Sequence, residues 1–221
     1  MKQPQYQQER TRLAAGCRRF ASYQLGVGAS GNLSSRVPDG MLITPTGVVA
    51  GEVEAEQLVL MSLDGTTAPG QLRPSSEWPM HARLYAGRDT TQAVVHCHSR
   101  HATILACAGR SIPAVHYMIA AAGCRNIAVA PYATFGTHEL ADGAMATMGN
   151  AKACLLAHHG QLTVGNDIID ALDVAQQVEE LAAIYLGCLT IGSGEALNDQ
   201  HMSDVEAAFQ HYGQQADVKP R

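Results

Sequence analysis

Ala93-Val94-Val95-His96-Cys97-His98 is an apolar run of strand length that ends on two histidines separated by one residue. On a strand, side chains alternate faces, so His96 and His98 project together while Cys97 points the other way into packing. A second apolar run, Ala153-Cys154-Leu155-Leu156-Ala157, delivers His158-His159-Gly160 in the same manner. Two such strand ends side by side bring three imidazoles together, the ligand number of a catalytic zinc with an open fourth position. His158 and His159 are neighbours and on a strand face opposite sides, so one of them joins the cluster, and residue order does not say which.

Outward from these runs the chain alternates helix and hairpin signals. Residues 5–24 carry Leu13, Ala14, Cys17, Phe20 and Ala21 at helical spacing and run into Gly26 and Gly28, which predicts a helix and its stop. Asn32 to Val37, a Pro38-Asp39-Gly40 turn and Met41 to Pro45 read as a hairpin, and Leu58 to Leu63 as a further strand. Ser75, Ser76 and Glu77 open a helix through Leu84, with Pro79 tolerated in its first turn. Ser99 to Ala108 reads as helix and Ile127 to Ala130 as a brief strand. Asp167 to Gly187 is the strongest helix, with Gly187 as its stop. Ser203 and Glu206 form a capping box for a last helix ending near Tyr212. Irregular alternation without a βαβ repeat predicts a single layered α/β domain over residues 1–213, with a central mixed or antiparallel sheet flanked by helices, and a tail over 214–221.

Composition narrows the class. At 221 residues and 46% hydrophobic the chain can bury a core without staples. A net charge of -5 offers no field for a polyanion, so nucleic acid is not an expected partner. No apolar run approaches the roughly 20 residues of a membrane span, and the first ten residues lack the apolar core of a signal peptide. A soluble, cytoplasmic protein is expected. Six cysteines without a C-x-x-C pair read as reduced thiols used as small core residues.

Three segments suggest an anion site. Gly26-Val-Gly-Ala-Ser-Gly31 matches G-x-G-x-x-G, but a helix precedes it and a strand follows, the reverse of a dinucleotide fold. Gly31 and Asn32 can still expose backbone N–H groups there. In Pro74-Ser75-Ser76-Glu77 capping explains one serine; a pair of hydroxyls beside first-turn amides suits a phosphate. Thr44-Pro45-Thr46-Gly47 adds donors, and no Walker A sequence is present.

Taken in order, Ser30-Gly-Asn-Leu-Ser-Ser-Arg36, Thr44-Pro-Thr-Gly47, Pro74-Ser-Ser-Glu77, His96-Cys-His98 and His158-His-Gly160 resemble the class II aldolase/adducin family over almost the whole chain. His116 to Gly123 and Ala130 to Thr137 are most similar to the branch that cleaves L-fuculose 1-phosphate. The resemblance implies a zinc enzyme, or one using another divalent cation, that splits a ketose 1-phosphate into dihydroxyacetone phosphate and an aldehyde such as L-lactaldehyde. It implies His96, His98 and His159 as metal ligands. It places the phosphate among Gly31, Asn32, Thr46, Gly47, Ser75 and Ser76, with Glu77 as acid/base. Tyr117 from a neighbouring subunit and Tyr212 would serve the aldehyde end of a homotetramer with sites between subunits.

Rival readings share the frame. An aldolase for 5-deoxy- or 5-methylthio-pentulose 1-phosphates would use the same metal and phosphate sites. A ribulose-5-phosphate 4-epimerase would carry Asp where this chain has Glu77, and the longer carboxylate suits cleavage. An adducin-like scaffold would lack ligands, yet every ligand position here is filled.

Overall fold

The computed structural model describes residues 5–209. In chain order the elements are α1 (Gln7–Ser22), β1 (Asn32–Val37), β2 (Gly40–Ile43), β3 (Val59–Met61), α2 (Trp78–Gly87), β4 (Ala93–Cys97) and α3 (Arg100–Cys107). There follow β5 (Ile112–Pro113), a 3-10 helix (Tyr117–Ala122), β6 (Asn126–Ile127), β7 (Val129–Ala130), α4 (His138–Met148), β8 (Ala153–Leu156), β9 (Gly160–Gly165), α5 (Ile168–Thr190) and α6 (Asp199–Phe209). Seven strands form one sheet in the order β3-β2-β1-β4-β9-β8-β7, antiparallel except for β7 with β8. β5 and β6 form a separate pair.

Both faces of this sheet are covered, and strand alternation decides what goes where. Met41, Ile43, Val94, Leu156, Leu162 and Val164 pack with Met80 and Leu84 of α2 and Leu140 of α4. Leu33, Leu42, Val95 and Cys97 pack on the opposite face with Leu13, Cys17 and Phe20 of α1 and Leu172 of α5. A third cluster joins α3 and the middle of α5 through Leu105, Val178 and Leu181. The layered α/β architecture expected from the sequence is the one observed.

Several boundaries differ from expectation. α1 ends before its glycines, with Gln24 in the left-handed region (φ 56°). α5 passes through Gly187 to Thr190, because Leu186, Cys188 and Leu189 continue the helix and the stop is made by Gly192 (φ 76°) with the Ser193 N–H donating to the Cys188 carbonyl. Ser203 is inside α6; the Asn198 side chain accepts from the His201 N–H instead, and Glu206 pairs with Arg125. The stretch from Ile127 to Ala130 breaks at Ala128, one half pairing with β5 and the other with β8. β3 spans only the middle of Leu58 to Leu63. β9 and α4 were not expected, although Gln161-Leu-Thr-Val164 alternates and Thr137 caps α4 by accepting from the Leu140 N–H. Cys17, Cys97 and Cys154 are buried, whereas Cys107 is exposed and Cys124 and Cys188 are half-buried; all six are free. Among the described residues no helix is long and apolar enough to cross a membrane. Tyr212 and residues 214–221 lie outside the described residues.

Two glycines separate the fold's tight and open places. A Cβ on Gly160 would collide with the Cys97 carbonyl across the β4–β9 pair, whereas one on Gly187 meets nothing within 4 Å. Gly160→Ala should therefore lower unfolding stability by about 1–3 kcal/mol. Gly187→Ala should raise it by about 0.5–1 kcal/mol, since alanine is the better helix former. Urea unfolding of the two variants beside the parent checks both signs.

Candidate active site

The ends of four strands meet at one end of the sheet. β4 runs out there into His98, β1 begins there with Asn32 opposite His96, β2 leaves there through Thr44, and β8 turns there into β9. Because Val94 lies on the α2 face and Val95 and Cys97 on the α1 face, His96 falls on the α2 side, as the alternation predicts. His96 Nε2 is 3.0 Å from His98 Nε2. One nitrogen from each of His96, His98 and His159 lies within 4.8 Å of the others.

The choice between His158 and His159 is made by a turn, not by strand alternation. β8 ends at Leu156, which pairs with Gly160, so residues 157–159 form the hairpin loop. His158 takes a left-handed conformation (φ 56°), and the His159 N–H donates to the Leu156 carbonyl at 3.0 Å. His159 is thereby aimed at the other two rings, at 4.6 and 5.0 Å between centroids. His158 faces Tyr132.

The donor set fits a divalent cation. His96 Nδ1 is 2.9 Å from the Gln161 carbonyl, which can only accept, so Nδ1 carries a hydrogen and Nε2 is the nitrogen turned to the cluster. Burial first, then the charges of His96 and His159, lowers His98 to about 4, so it is neutral at physiological pH. Three imidazole nitrogens converging on one point, two of them 3.0 Å apart, are the kind of donor set with which protein sites hold zinc. The backbone carbonyl behind His96 is the outer partner that fixes ligand orientation in such sites.

Glu77 completes the cluster at the start of α2. It is the N-cap residue, yet its side chain makes no cap bond; the Ser75 hydroxyl accepts from the Glu77 N–H at 3.3 Å. Its carboxylate is turned inward, with Oε2 3.3 Å from His96 Nε2 and accepting from Asn32 Nδ2 at 2.9 Å. Oε1 is 3.1 Å from His159 Nε2 but has no donor directed at it in hydrogen-bond geometry. Burial alone would raise this carboxyl; the His96 charge and the His159 and His96 contacts overcome it and hold the group well below the usual carboxylate range.

The other expected residues distribute around this centre. Thr46 N–H donates to the Arg73 carbonyl and Ser75 N–H to the Thr44 carbonyl, both at 3.0 Å, so the two donor-bearing loops lie side by side. Thr46, Gly47 and Ser76 are exposed, and Ser75 is buried. Gly31 (φ 86°) brings the start of β1 against β4, where a Cβ would come 2.8 Å from the His96 carbonyl. The Asn32 side chain is buried behind Glu77, its Oδ1 2.6 Å from His81 Nε2. A cleft of about 310 Å³ opens over Ser76, Glu77, His98 and His159, with the exposed Tyr132 and Phe135 in its lining. Neither aromatic, nor His81, is singled out by sequence reasoning; the helical spacing of Glu77, His81 and Tyr85 is the signal that could have found His81. Tyr117 is not in this cleft: it stacks on His116 beside Phe209.

The model of the class II aldolase and adducin N-terminal domain matches residues 11–186. The chain is 43% identical over 206 residues to 5-methylthioribulose-1-phosphate/5-deoxyribulose-1-phosphate aldolase of Rhodospirillum rubrum, covering 93% of each. It is 42% identical over 198 residues to L-fuculose phosphate aldolase of Escherichia coli K12, covering 89% of this chain and 92% of the relative. A solved structure of L-fuculose 1-phosphate aldolase superposes with a TM-score of 0.87 at 36% identity, over 92% of this chain and 96% of that one.

The buried imidazoles set a pH dependence. Burial, followed by the His96 charge, lowers His81 to about 3. The unfolded chain binds a proton at this position below about pH 6.5 and the native state does not, so stability must fall as pH drops through that window. The slope from His81 is about 1.4 kcal/mol per pH unit. Unfolding free energy of chelator-treated protein, measured from neutrality to about pH 5, should decline accordingly; a flat profile contradicts the neutral buried imidazole.

Proposed function

The chain belongs to the class II aldolase and adducin family and is a carbon-carbon lyase, and from that premise we propose that it cleaves a ketose 1-phosphate of the L-fuculose 1-phosphate kind into dihydroxyacetone phosphate and an aldehyde such as L-lactaldehyde. The observation that carries the reading is Glu77, a buried carboxylate that forgoes capping to stand against His96 and His159. His96, His98 and His159 would hold the cation, with zinc favoured by an all-imidazole set. When bound, it supplies a Lewis acid for the negative charge that spreads over the ketose oxygens as the bond breaks.

The chain's own groups do the rest. Gly31, Thr46, Gly47, Ser75, Ser76 and the backbone of Asn32, whose side chain is engaged by Glu77 and His81, are assigned to the phosphate end, where Thr46 and Ser76 are exposed on neighbouring loops. Glu77 handles the proton at the carbon beside the ketone. In cleavage the ionised Glu77 takes up the proton that the departing aldehyde's hydroxyl gives up, the carbon-carbon pair moves to the carbon beside the ketone, and Glu77 delivers one proton to that carbon, so the proton count is unchanged. Tyr117, turned away from its own cleft, would serve the aldehyde oxygen of a neighbouring site in a homotetramer, with Tyr212 at the same end.

A second substrate reading, a 5-deoxy- or 5-methylthio-pentulose 1-phosphate, is supported by the Rhodospirillum rubrum relative and by Tyr132 and Phe135, whose exposed faces suit an apolar end group. Both readings release the same triose phosphate. Incubation with each ketose 1-phosphate should release dihydroxyacetone phosphate, lose the activity with chelator and regain it with zinc. Glu77→Gln should lower kcat by about 10²- to 10⁴-fold while cation content is unchanged. No triose from any of these sugars, parental rates in Glu77→Gln, or conversion of ribulose 5-phosphate to a new pentulose phosphate alone would overturn the proposal.

A further inference from the structure

The inner side of α2 carries Glu77, His81 and Tyr85 at four-residue spacing, and the start of β1 presents Asn32 and Ser34 to it at two-residue spacing. The five side chains form one unbroken line. Tyr85 OH lies 2.7 Å from Ser34 Oγ, which lies 2.7 Å from His81 Nδ1. His81 Nε2 lies 2.6 Å from Asn32 Oδ1, and Asn32 Nδ2 lies 2.9 Å from Glu77 Oε2. All five residues are buried, His81 and Ser34 completely.

The direction of every bond follows from the carboxylate. A carboxylate only accepts, so Asn32 presents its NH₂ to Glu77 and its Oδ1 to His81. An amide oxygen only accepts, so His81 Nε2 carries the hydrogen. A neutral imidazole then leaves a lone pair on Nδ1, Ser34 must donate to it, and Tyr85 must donate to Ser34. Burial keeps His81 neutral at physiological pH, so it holds a single hydrogen and cannot donate both ways. Reversing Asn32 alone would set its oxygen against the carboxylate and its NH₂ against the His81 N–H, two repulsive contacts in a low-dielectric interior.

We propose that His81 is a positioning residue for Glu77: by donating from Nε2 it locks the orientation of Asn32, which pins Oε2 and so holds the carboxylate in place against the histidine cluster. The inference rests on the acid/base reading of Glu77 and deepens it. Tyr85 and Ser34 act only through His81, so removing them weakens the lock without breaking it.

Three variants and one spectrum test this. His81→Leu removes donor and acceptor at similar volume, His81→Gln keeps one of each, and Tyr85→Phe removes only the outermost donor. Triose phosphate release gives kcat and KM, and exchange of the carbon-bound proton of dihydroxyacetone phosphate in D₂O isolates the step at Glu77. His81→Leu should lose about 10- to 100-fold in kcat and in exchange, the range for groups that support a functional side chain, with cation content unchanged and KM within about threefold. His81→Gln should recover most of the loss, and Tyr85→Phe should show a smaller one. Side-chain ¹⁵N spectra of the parent should show His81 protonated at Nε2 and bare at Nδ1.

Parental kcat in His81→Leu, a loss of cation and KM in step with kcat, or a hydrogen on Nδ1 would each overturn the proposal. If His81→Leu does not fold, Tyr85→Phe and the spectrum still decide. A parent that releases no triose from any ketose phosphate sinks the acid/base reading instead, while the tautomer is read from the protein alone.

Discussion

The hydrogen bond from His96 Nδ1 to the Gln161 carbonyl fixes which side of the imidazole is left for a cation, and the architecture around it keeps that bond in place. Gln161 belongs to β9, and its carbonyl reaches His96 only because β4 and β9 pair in the observed register, His96 opposite Leu162. A one-residue slip would exchange the faces, turning His96 toward α1 and Cys97 toward the cleft. On the far side β9 is tied to α5: Gln161 Nε2 donates to the Ala175 carbonyl and Thr163 Oγ1 to the Ala171 carbonyl. Buried polar side chains on a central strand therefore secure the register on which the histidine cluster depends.

The second constraint is that the functional groups come from backbone that departs from regular structure just where the strands stop. Glu77 occupies a cap position without capping, and His158 adopts a conformation that few residues with a Cβ accept. Each departure gives up local stability to aim a side chain, His159 in one case and the carboxylate in the other. Rigid neighbours hold both, since the hairpin loop is closed by the Leu156–Gly160 pair and the Glu77 N–H is held by Ser75. Such placement of reactive groups at strand ends and loop tips on a fixed scaffold is a common way to combine precision with access.

The region between α2 and the sheet divides into two kinds of interior. Toward α4, Met80, Leu84, Val94, Leu156 and Leu162 form an apolar layer. Toward β1, the line from Tyr85 to Glu77 is polar and fully connected. An apolar filling there would bury as much surface and would not need every bond satisfied. A connected polar layer does what apolar contacts cannot, because it has a direction, and that direction ends on the carboxylate in the cleft.

Legibility in the sequence followed the range of the forces involved. His96 and His98 sharing a face, Cys97 pointing into the core, the Pro38-Asp39 hairpin, the Ser99 start of α3 and the long α5 are consequences of local periodicity and turn chemistry, and residue order by itself determined them. The ordered motifs also determined the family. Periodicity left open which of His158 and His159 joins the cluster, although the ordered motifs pointed to His159, and tertiary structure alone decided that α5 runs through Gly187 and that Asn32 faces Glu77 and His81. The physical reason is that a turn's handedness, a helix's continuation past glycine and an amide's orientation each differ between their alternatives by only about a kcal/mol locally, less than the packing and hydrogen bonds brought by segments distant in the chain.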